Sequence, residues 1–144
     1  KNLAFFKVYE KVFFMNNFDH WNLLKQERHA SERIRYFHER DIFYAYLGKN
    51  IGHEQDGKGD AFLRPIIIFR KFNQRLFWGI PLTSKIKKSI FYHSFILNDS
   101  RSSAILSQLR LWDSNRLLYK IGKIPPQDFQ LLQNKITALM NGDS

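Results

Sequence analysis

The feature that most constrains the fold is a series of short apolar segments that begins at Ile42 and recurs along most of the chain. In the first of them, residues 42–47, apolar and aromatic side chains occupy both alternate sets of positions, as in a strand buried on two faces. Polar loops separate the segments, and residues 72–75 are predicted to form a hairpin turn. This spacing is typical of a small barrel or sandwich. Further strands are predicted at 65–70, 76–81 (ended by Pro81), 90–97, 104–111 and 117–124, with a polar loop at 98–102.

Helices are predicted at the two ends of the chain. Residues 1–31 show helical spacing of apolar side chains, and Asp19 could cap a helix there because its carboxylate can accept from free first-turn amides. Residues 126–140 carry one apolar stripe and have a proline at the first helical position. The prediction is therefore a mainly β domain with helices (α+β), residues 32–144, that follows an N-terminal helical extension and ends in a packing helix. Met15 is a candidate natural start.

Positive charge is concentrated in one part of the chain. Residues 64–123 contain twelve Lys or Arg and two acidic residues, whereas the remainder contains eleven of each kind. The whole net charge of +10 therefore lies in that segment. Such a field favours a polyanionic partner, namely nucleic acid, an anionic membrane surface or an acidic protein. The alternative is a basic surface that binds nothing in particular.

The composition also excludes several classes of protein. The chain has no cysteine, so it has no disulfide framework and no thiolate metal site, and the cytoplasm is the expected location. No apolar run reaches the roughly 18–20 residues of a membrane span, so no membrane-spanning segment is predicted. Of the possible polyanionic partners, nucleic acid and an acidic protein are expected, and a membrane is not. His53 and Glu54 are adjacent rather than spaced as a chelating pair, so neither a metal nor another cofactor is predicted.

A long polar loop separates the first two predicted strands. It begins at Gly48, is rich in glycine, and contains side chains that bind ligands or move protons, such as Glu54 and Lys58. It ends at Arg64, which is followed by Pro65 and a buried strand. Loops held at both ends by a rigid scaffold often carry functional residues. An arginine at the loop–strand junction is well placed to bind phosphate.

Four motifs follow one another along the chain: Glu54-Gln55, Arg64-Pro65, Pro81-Leu82-Thr83-Ser84, and Ser107-Gln108-Leu109-Arg110 followed by Asp113 and Arg116-Leu117. Together and in this order they resemble the MazF/PemK family of toxins from type II toxin–antitoxin systems, over residues 36–140. In one respect the chain differs from many family members: eight residues, DGKGDAFL, separate the first motif from the second. This longer loop affects the loop geometry and the RNA sequence that is read, but not the chemistry that the resemblance implies.

The resemblance implies an SH3-like small barrel, a homodimer, and metal-independent, sequence-specific cleavage of single-stranded mRNA. The ribose 2′-OH would attack the adjacent phosphorus and leave a cyclic phosphate, or its opened 3′-phosphate, and a 5′-OH. The implied partner is an acidic antitoxin, through which alone the toxin would contact operator DNA. Two alternatives of the same fold are a non-catalytic toxin that inhibits DNA gyrase and an inactive member that binds RNA or antitoxin.

The resemblance also identifies Arg64 and Thr83 with the two catalytic positions of the family. Arg64 would be catalytic by stabilising phosphate charge with its guanidinium, the alternative being a surface ion pair. Thr83 would hold a phosphate or leaving oxygen with its hydroxyl, the alternative being a turn hydroxyl that caps its own backbone. Ser84 is a weaker catalytic candidate. Gln108 matches a family glutamine near the active site and could bond a base edge. Glu54 could contact RNA or fix the loop itself. The RNA-binding candidates are Glu54, Gln55, Lys58, Lys85, Gln108, Arg110 and Asp113.

Some of these candidates have further alternatives. Asp113 could orient Arg110, act as a base, or cap the start of a helical turn. Aromatic residues of the basic segment could stack on RNA bases, although strand alternation is expected to bury half of them. These aromatic residues are Phe72, Trp78, Tyr92 and Trp112.

Overall fold

The computed structural model describes residues 16–143, which form a seven-stranded antiparallel sheet and two α-helices. Helix α1 spans Asn17–His29 and helix α2 spans Pro126–Met140. No helix within residues 16–143 is long and apolar enough to cross a membrane. The strands are β1 (Asp41–Tyr46), β2 (Leu63–Lys71), β3 (Leu76–Thr83), β4 (Tyr92–Leu97), β5 (Ser100–Ile105), β6 (Arg110–Asp113) and β7 (Leu117–Lys123), with 3₁₀ turns at Leu106–Gln108 and Ser114–Arg116.

The sheet curls into a half-barrel. Its strand order is β4–β5–β3–β2–β1–β7, and β6 pairs separately with β3. The two ends of this strand order, β4 and β7, are joined by a side-chain contact: Asn98 in the β4–β5 turn donates to the carbonyl of Ile121 in β7 at 2.9 Å. The expected mainly β fold with a small barrel and a C-terminal packing helix is therefore confirmed.

Strands β1 and β2 are buried on both faces of the sheet. On one face, Ile42 of β1 and Ile67 of β2 belong to a core that includes Phe129 of helix α2. On the opposite face, Phe43 and Ile66 belong to a second core, which the segment before β1 helps to cover. Adjacent residues of β1 and β2 thus contact different cores. This explains why their sequences are apolar at both alternate positions.

Helix α1 begins before the predicted cap. The side chain of Asn16 accepts a hydrogen bond from the backbone N–H of Asp19 at 2.9 Å, so Asn16 is the N-cap and the prediction for Asp19 was wrong. Both residue types suit a cap, and the sequence alone could not choose between them. Asp19 lies in the first turn, where its charge meets the positive end of the helix dipole. The predicted helix over residues 1–15, and Met15 itself, lie outside the described residues.

Strand β3 does not end at Pro81, contrary to prediction, but continues to Thr83. On one side, β3 pairs with β6 as far as Gly79 and with β5 from Leu82 onward. Pro81 lies between these two pairings. Its missing N–H therefore breaks neither ladder, and the proline is tolerated inside the strand.

The region after β4 also differs from the prediction. The predicted loop at 98–102 is a tight turn, and β5 begins at Ser100. Asn98 and Asp99 form this turn with φ values of 47° and 64°, which asparagine and aspartate tolerate better than most residues. The predicted strand at 104–111 is interrupted by the 3₁₀ turn Leu106–Gln108.

Candidate active site

Arg64 is the second residue of β2, at the end of the long loop that follows β1. Its side chain is only 7% exposed. Its Nε donates to the carbonyl of Asp56 at 2.8 Å, and its Nη1 donates to the carbonyl of Leu82 at 3.1 Å. The Nη2 group makes no hydrogen bond within residues 16–143. Two bonds therefore fix the plane of the guanidinium and leave one nitrogen for a ligand.

The environment of Arg64 suits a fixed cation. Burial lowers the pKa of the guanidinium, and the negative charge of Asp56 acts in the opposite direction. Because the normal pKa of arginine exceeds about 12, stabilising charge is a better role for this group than donating a proton. The alternative of a surface ion pair is excluded, since the side chain is buried and both of its acceptors are backbone carbonyls.

Thr83, the last residue of β3, lines the same cavity as Arg64. The β2–β3 pairing ends at Ile66 with Pro81, two residues from each of them, and Arg64 reaches across to the carbonyl of Leu82, the residue before Thr83. The Thr83 hydroxyl accepts from the N–H of Lys85 at 3.2 Å, so it does cap its own turn. Because the oxygen accepts this bond, its own hydrogen remains able to donate to a ligand. The two roles considered for Thr83 are compatible.

Arg64, Thr83 and Ser84 line the same cavity, which has a volume of about 630 Å³. Lys58 of the loop also lines it, as does Tyr44 of β1. Ligand cavities in proteins are commonly about 300–1,000 Å³, so this one is large enough for a nucleotide. The structure therefore brings the three predicted catalytic residues and one predicted RNA-binding lysine together. Within residues 16–143, no three His, Asp or Glu side chains are grouped as metal ligands would be.

Four other predicted RNA-binding residues lie apart from this cavity. Glu54, Gln55, Gln108 and Arg110 line a second cavity of about 50 Å³, which is too small for a nucleotide. The Gln55 N–H donates to the side chain of Gln108 at 3.3 Å, so this contact joins the loop to the 3₁₀ turn before β6. The Glu54 carboxylate accepts from the N–H of Ile51 at 2.9 Å and shapes the loop itself.

Two further candidates are exposed. Lys85 lies next to the cavity-lining Ser84, where its side chain is open to solvent. The Asp113 carboxylate accepts from the N–H of Asn115 at 2.8 Å and caps the 3₁₀ turn Ser114–Arg116. Of the alternatives considered for Asp113, capping is the one that the structure shows.

The packing of two arginines against Trp112 was not predicted from the sequence. The Arg110 guanidinium carbon lies 3.9 Å from the centre of a Trp112 ring, and that of Arg116 lies 5.1 Å from it. Trp112 is 3% exposed, so it is not available to stack on a base. Burial, together with the charge of Arg110, lowers the pKa of Arg116 to about 10, while Asp113 acts in the opposite direction. The sequence signal for this contact was the i, i+2 spacing of Arg110 and Trp112, which places their side chains on the same face of a strand.

Asp56 was not among the predicted site residues, although it orders the loop. Its carboxylate accepts from Lys49 Nζ at 2.8 Å and from the N–H of Asn50 at 2.6 Å. Burial acts to raise the pKa of Asp56, but these two bonds and the charge of Arg64 outweigh it and lower the pKa below its usual value. Its backbone carbonyl is the acceptor for Arg64 Nε. An aspartate in a polar loop carries no sequence signal that distinguishes such a role.

A family model described as a PemK-like, MazF-like toxin of type II toxin–antitoxin systems matches residues 38–140. The chain belongs to this PemK/MazF toxin family. The resemblance noted in the sequence is thereby confirmed. Helix α1 lies outside the region that the family model matches. No curated protein matches the chain.

Solved structures of PemK/MazF-like toxins share the fold. MazF (Form-I) from Deinococcus radiodurans is 17% identical with a TM-score of 0.59, over 76% of this chain and 99% of that one. Toxin MazF-mt6 of Mycobacterium tuberculosis is 14% identical with a TM-score of 0.56, over 71% and 97%. An endoribonuclease in complex with its cognate antitoxin, from a mycobacterial species, is 9% identical with a TM-score of 0.59, over 74% and 96%. At these identities the similarity shows the fold alone.

Proposed function

We propose that this chain is the toxin of a type II toxin–antitoxin system and acts as a metal-independent endoribonuclease on single-stranded mRNA. The observation that carries the proposal is a buried, fixed Arg64 that lines one cavity of nucleotide size together with Thr83. Membership of the PemK/MazF family supports it. So do structural relatives that are described as endoribonucleases.

RNA carries its own nucleophile, so the site needs no catalytic serine or cysteine. The 2′ oxygen bonds to the adjacent phosphorus as the bond to the 5′ oxygen breaks. The proton of the 2′-OH leaves, and the 5′ oxygen gains a proton. The products are a 2′,3′-cyclic phosphate, which water can open to a 3′-phosphate, and a 5′-OH end. The protein must align the reacting atoms and stabilise the extra negative charge on the phosphoryl oxygens.

The cavity residues divide these tasks. Arg64 presents its free Nη2 group to a non-bridging phosphate oxygen, where a preorganised cation stabilises the developing charge without reorienting. Thr83 donates its hydroxyl hydrogen to a second phosphate oxygen or to the leaving 5′ oxygen. Ser84, the next residue on the cavity wall, supplies a further hydroxyl.

Binding of the RNA strand uses the basic surface around the cavity. Lys58 on the cavity wall and the exposed Lys85 contact neighbouring phosphates, which gives affinity but little sequence preference. Gln55 and Gln108 act indirectly, since their contact holds the loop in the shape that decides which bases fit. Glu54 and Arg110 act in the same way, and Asp113 is assigned a capping role rather than an RNA contact.

The proposed partners follow from the charge and from the relatives. The excess of ten positive charges in residues 64–123 suits an acidic antitoxin segment that folds onto the surface and competes with RNA. Relatives of the same fold have been solved with antitoxins, including MazE–MazF from D. radiodurans. We also propose a homodimer in the cytoplasm, with operator DNA contacted only through the antitoxin.

The test is to incubate the purified protein with a long single-stranded RNA in EDTA and to map the new 5′ ends. The proposal predicts discrete sites with 5′-OH ends. A matched RNA with one 2′-deoxyribose at a cleavage site should resist cutting at that site alone. Ends carrying 5′-phosphate, or cleavage that EDTA abolishes, would contradict the mechanism. Intact RNA together with inhibited DNA gyrase would support the non-catalytic alternative.

A further inference from the structure

Helix α1 contacts the loop that leads to Arg64, although it lies outside the region matched by the family model. Trp21 is 7% exposed and packs on Gly48, where the loop begins. The contact is so close that a Cβ atom at Gly48 would lie 2.1 Å from Trp21 Cε2. Gly48 has a φ of +86°, so glycine is required here both for its conformation and for the space that the indole takes.

The same helix also contacts the far end of the loop. His20 Nε2 lies 2.7 Å from the carbonyl oxygen of Asp60, a hydrogen-bonding distance. The rings of His20 and Trp21 lie 5.6 Å and 5.9 Å from the ring of Phe62, centre to centre. Two consecutive side chains of helix α1 therefore hold the beginning and the end of the loop together.

Phe62 is the residue on which these contacts converge. Its φ of 52° is in the left-handed region, which is unfavourable for a non-glycine residue and persists only when the surroundings fix it. Its carbonyl accepts from the N–H groups of Leu47 and Gly48 at 3.0 and 3.2 Å, which closes the loop at its base. Gly57 packs directly on this carbonyl, where a Cβ atom would lie 1.7 Å from the oxygen.

The closed base of the loop is connected to the cavity through the backbone. The N–H of Gly57 donates to the carbonyl of Gly48 at 2.9 Å, and the residue before Gly57 is Asp56. The carbonyl of Asp56 accepts from Arg64 Nε at 2.8 Å. A short, continuous set of contacts thus runs from helix α1 to the guanidinium of Arg64.

We propose that Trp21 and His20 are positioning residues for RNA cleavage, because they hold the loop closed and thereby fix the acceptor that orients Arg64. This inference rests on the proposed function of Arg64. Helix α1 is then an addition to the family domain that sets the activity of the site. It does so without itself lining the cavity that Arg64 and Thr83 share.

Hydrogen exchange tests the proposal independently of cleavage. The informative amides are those of Gly57, which donates to Gly48, and of Lys58 and Leu63, which donate to each other's carbonyls at 2.7 and 2.9 Å. In Trp21→Ala, we expect these amides to exchange at least about tenfold faster while the amides of the β2–β3 ladder are unchanged. His20→Ala should show the same pattern to a smaller degree. Because the side chain of His20 is partly exposed, we expect the His20→Ala variant to fold even if Trp21→Ala does not.

The control is Leu23→Ala, which shortens an exposed side chain of the same helix and should alter none of these rates. Unchanged exchange of the loop amides in both test variants would overturn the positioning role. Faster exchange at every amide of the domain would also overturn it, because helix α1 would then stabilise the whole domain and not the loop.

Cleavage kinetics supply the second readout. Displacing a catalytic group by about 1 Å can lower a rate by about 10²-fold, so we expect Trp21→Ala to lower kcat at least tenfold with a smaller change in KM. Trp21→Phe, which retains a ring against Phe62, should restore much of the rate. A wild type that cleaves no RNA would overturn the proposed function. A Trp21→Ala variant with full kcat would overturn the positioning role alone.

Discussion

The Nη1 group of Arg64 donates to the carbonyl of Leu82, 3.1 Å away, on the neighbouring strand. Leu82 immediately precedes Thr83, so the strand that fixes the guanidinium also carries a hydroxyl that lines the same cavity. The pairing of β2 with β3 therefore assembles the candidate site. The loop contributes the second acceptor, the carbonyl of Asp56, and one wall of the cavity.

The role of the Thr83 hydroxyl is tested by a pair of substitutions. Thr83→Val removes the hydroxyl at similar volume, and we expect it to lower kcat by about 10²-fold, as loss of one preorganised donor does. Thr83→Ser retains the hydroxyl and should remain within a few-fold of wild type. Single-turnover cleavage of one defined RNA measures both.

The valine variant also loses the bond from the N–H of Lys85, which contributes about 1 kcal/mol to folding. Urea unfolding should show this cost in Thr83→Val and not in Thr83→Ser. If the two variants cleaved at equal rates while the stability difference was present, the Thr83 hydroxyl would stabilise its turn and have no part in cleavage.

The ion pair of Asp56 with Lys49 predicts a pH-dependent contribution to stability. The pKa of Asp56 is lowered in the folded chain, so the carboxylate stabilises the fold above its unfolded pKa, near 3.8, and the effect is lost as pH falls through the lower folded value. The free energy of unfolding lost in Asp56→Asn should therefore be larger at pH 6 than at pH 3. Urea unfolding of both proteins at the two pH values measures this.

The control for Asp56 is Asp99→Asn. Asp99 is exposed in the β4–β5 turn, where its φ of 64° also suits asparagine, so this change should cost little at either pH. If Asp56→Asn lost equal stability at pH 3 and pH 6, the carboxylate charge would have no part in ordering the loop.

The close contact of Trp21 with Gly48 is tested by comparing two glycines. Gly48 and Gly52 both have positive φ, so alanine is strained at either position by about 1–2 kcal/mol. A Cβ atom would meet the Trp21 ring at Gly48 but nothing within 4 Å at Gly52. We expect Gly48→Ala to lower the free energy of unfolding by at least about 1 kcal/mol more than Gly52→Ala. Equal losses in urea unfolding would show that the indole does not occupy this position in solution.

Much of the fold could be predicted because local patterns agree with the tertiary structure. The double-faced apolar pattern of β1, the hairpin turn at 72–75 and the proline-initiated helix α2 all form where the sequence indicates. The split between β5 and β6 could not be predicted in this way. The apolar run continues through Leu106, and the 3₁₀ turn there is set by a change of strand partner along β3.

The candidate site was predictable only in part for a related reason. Arg64 and Thr83 stand in motifs that the family resemblance identifies. Their fixing partners are the backbone carbonyls of Asp56 and Leu82, which any residue could supply and no sequence pattern marks. The contact of Trp21 with Gly48 joins residues far apart in the chain, so it appears only when the fold is known.

The most direct test of the account compares Arg64→Ala with Arg70→Ala in the cleavage of one defined single-stranded RNA in EDTA. Both arginines belong to β2 and both variants lose one positive charge, but Arg64 is buried on the cavity whereas Arg70 is exposed. We predict that Arg64→Ala lowers kcat by about 10²–10³-fold and that Arg70→Ala remains within a few-fold of wild type. If a folded Arg64→Ala variant cleaved the RNA as fast as Arg70→Ala does, the catalytic role of Arg64 would be contradicted.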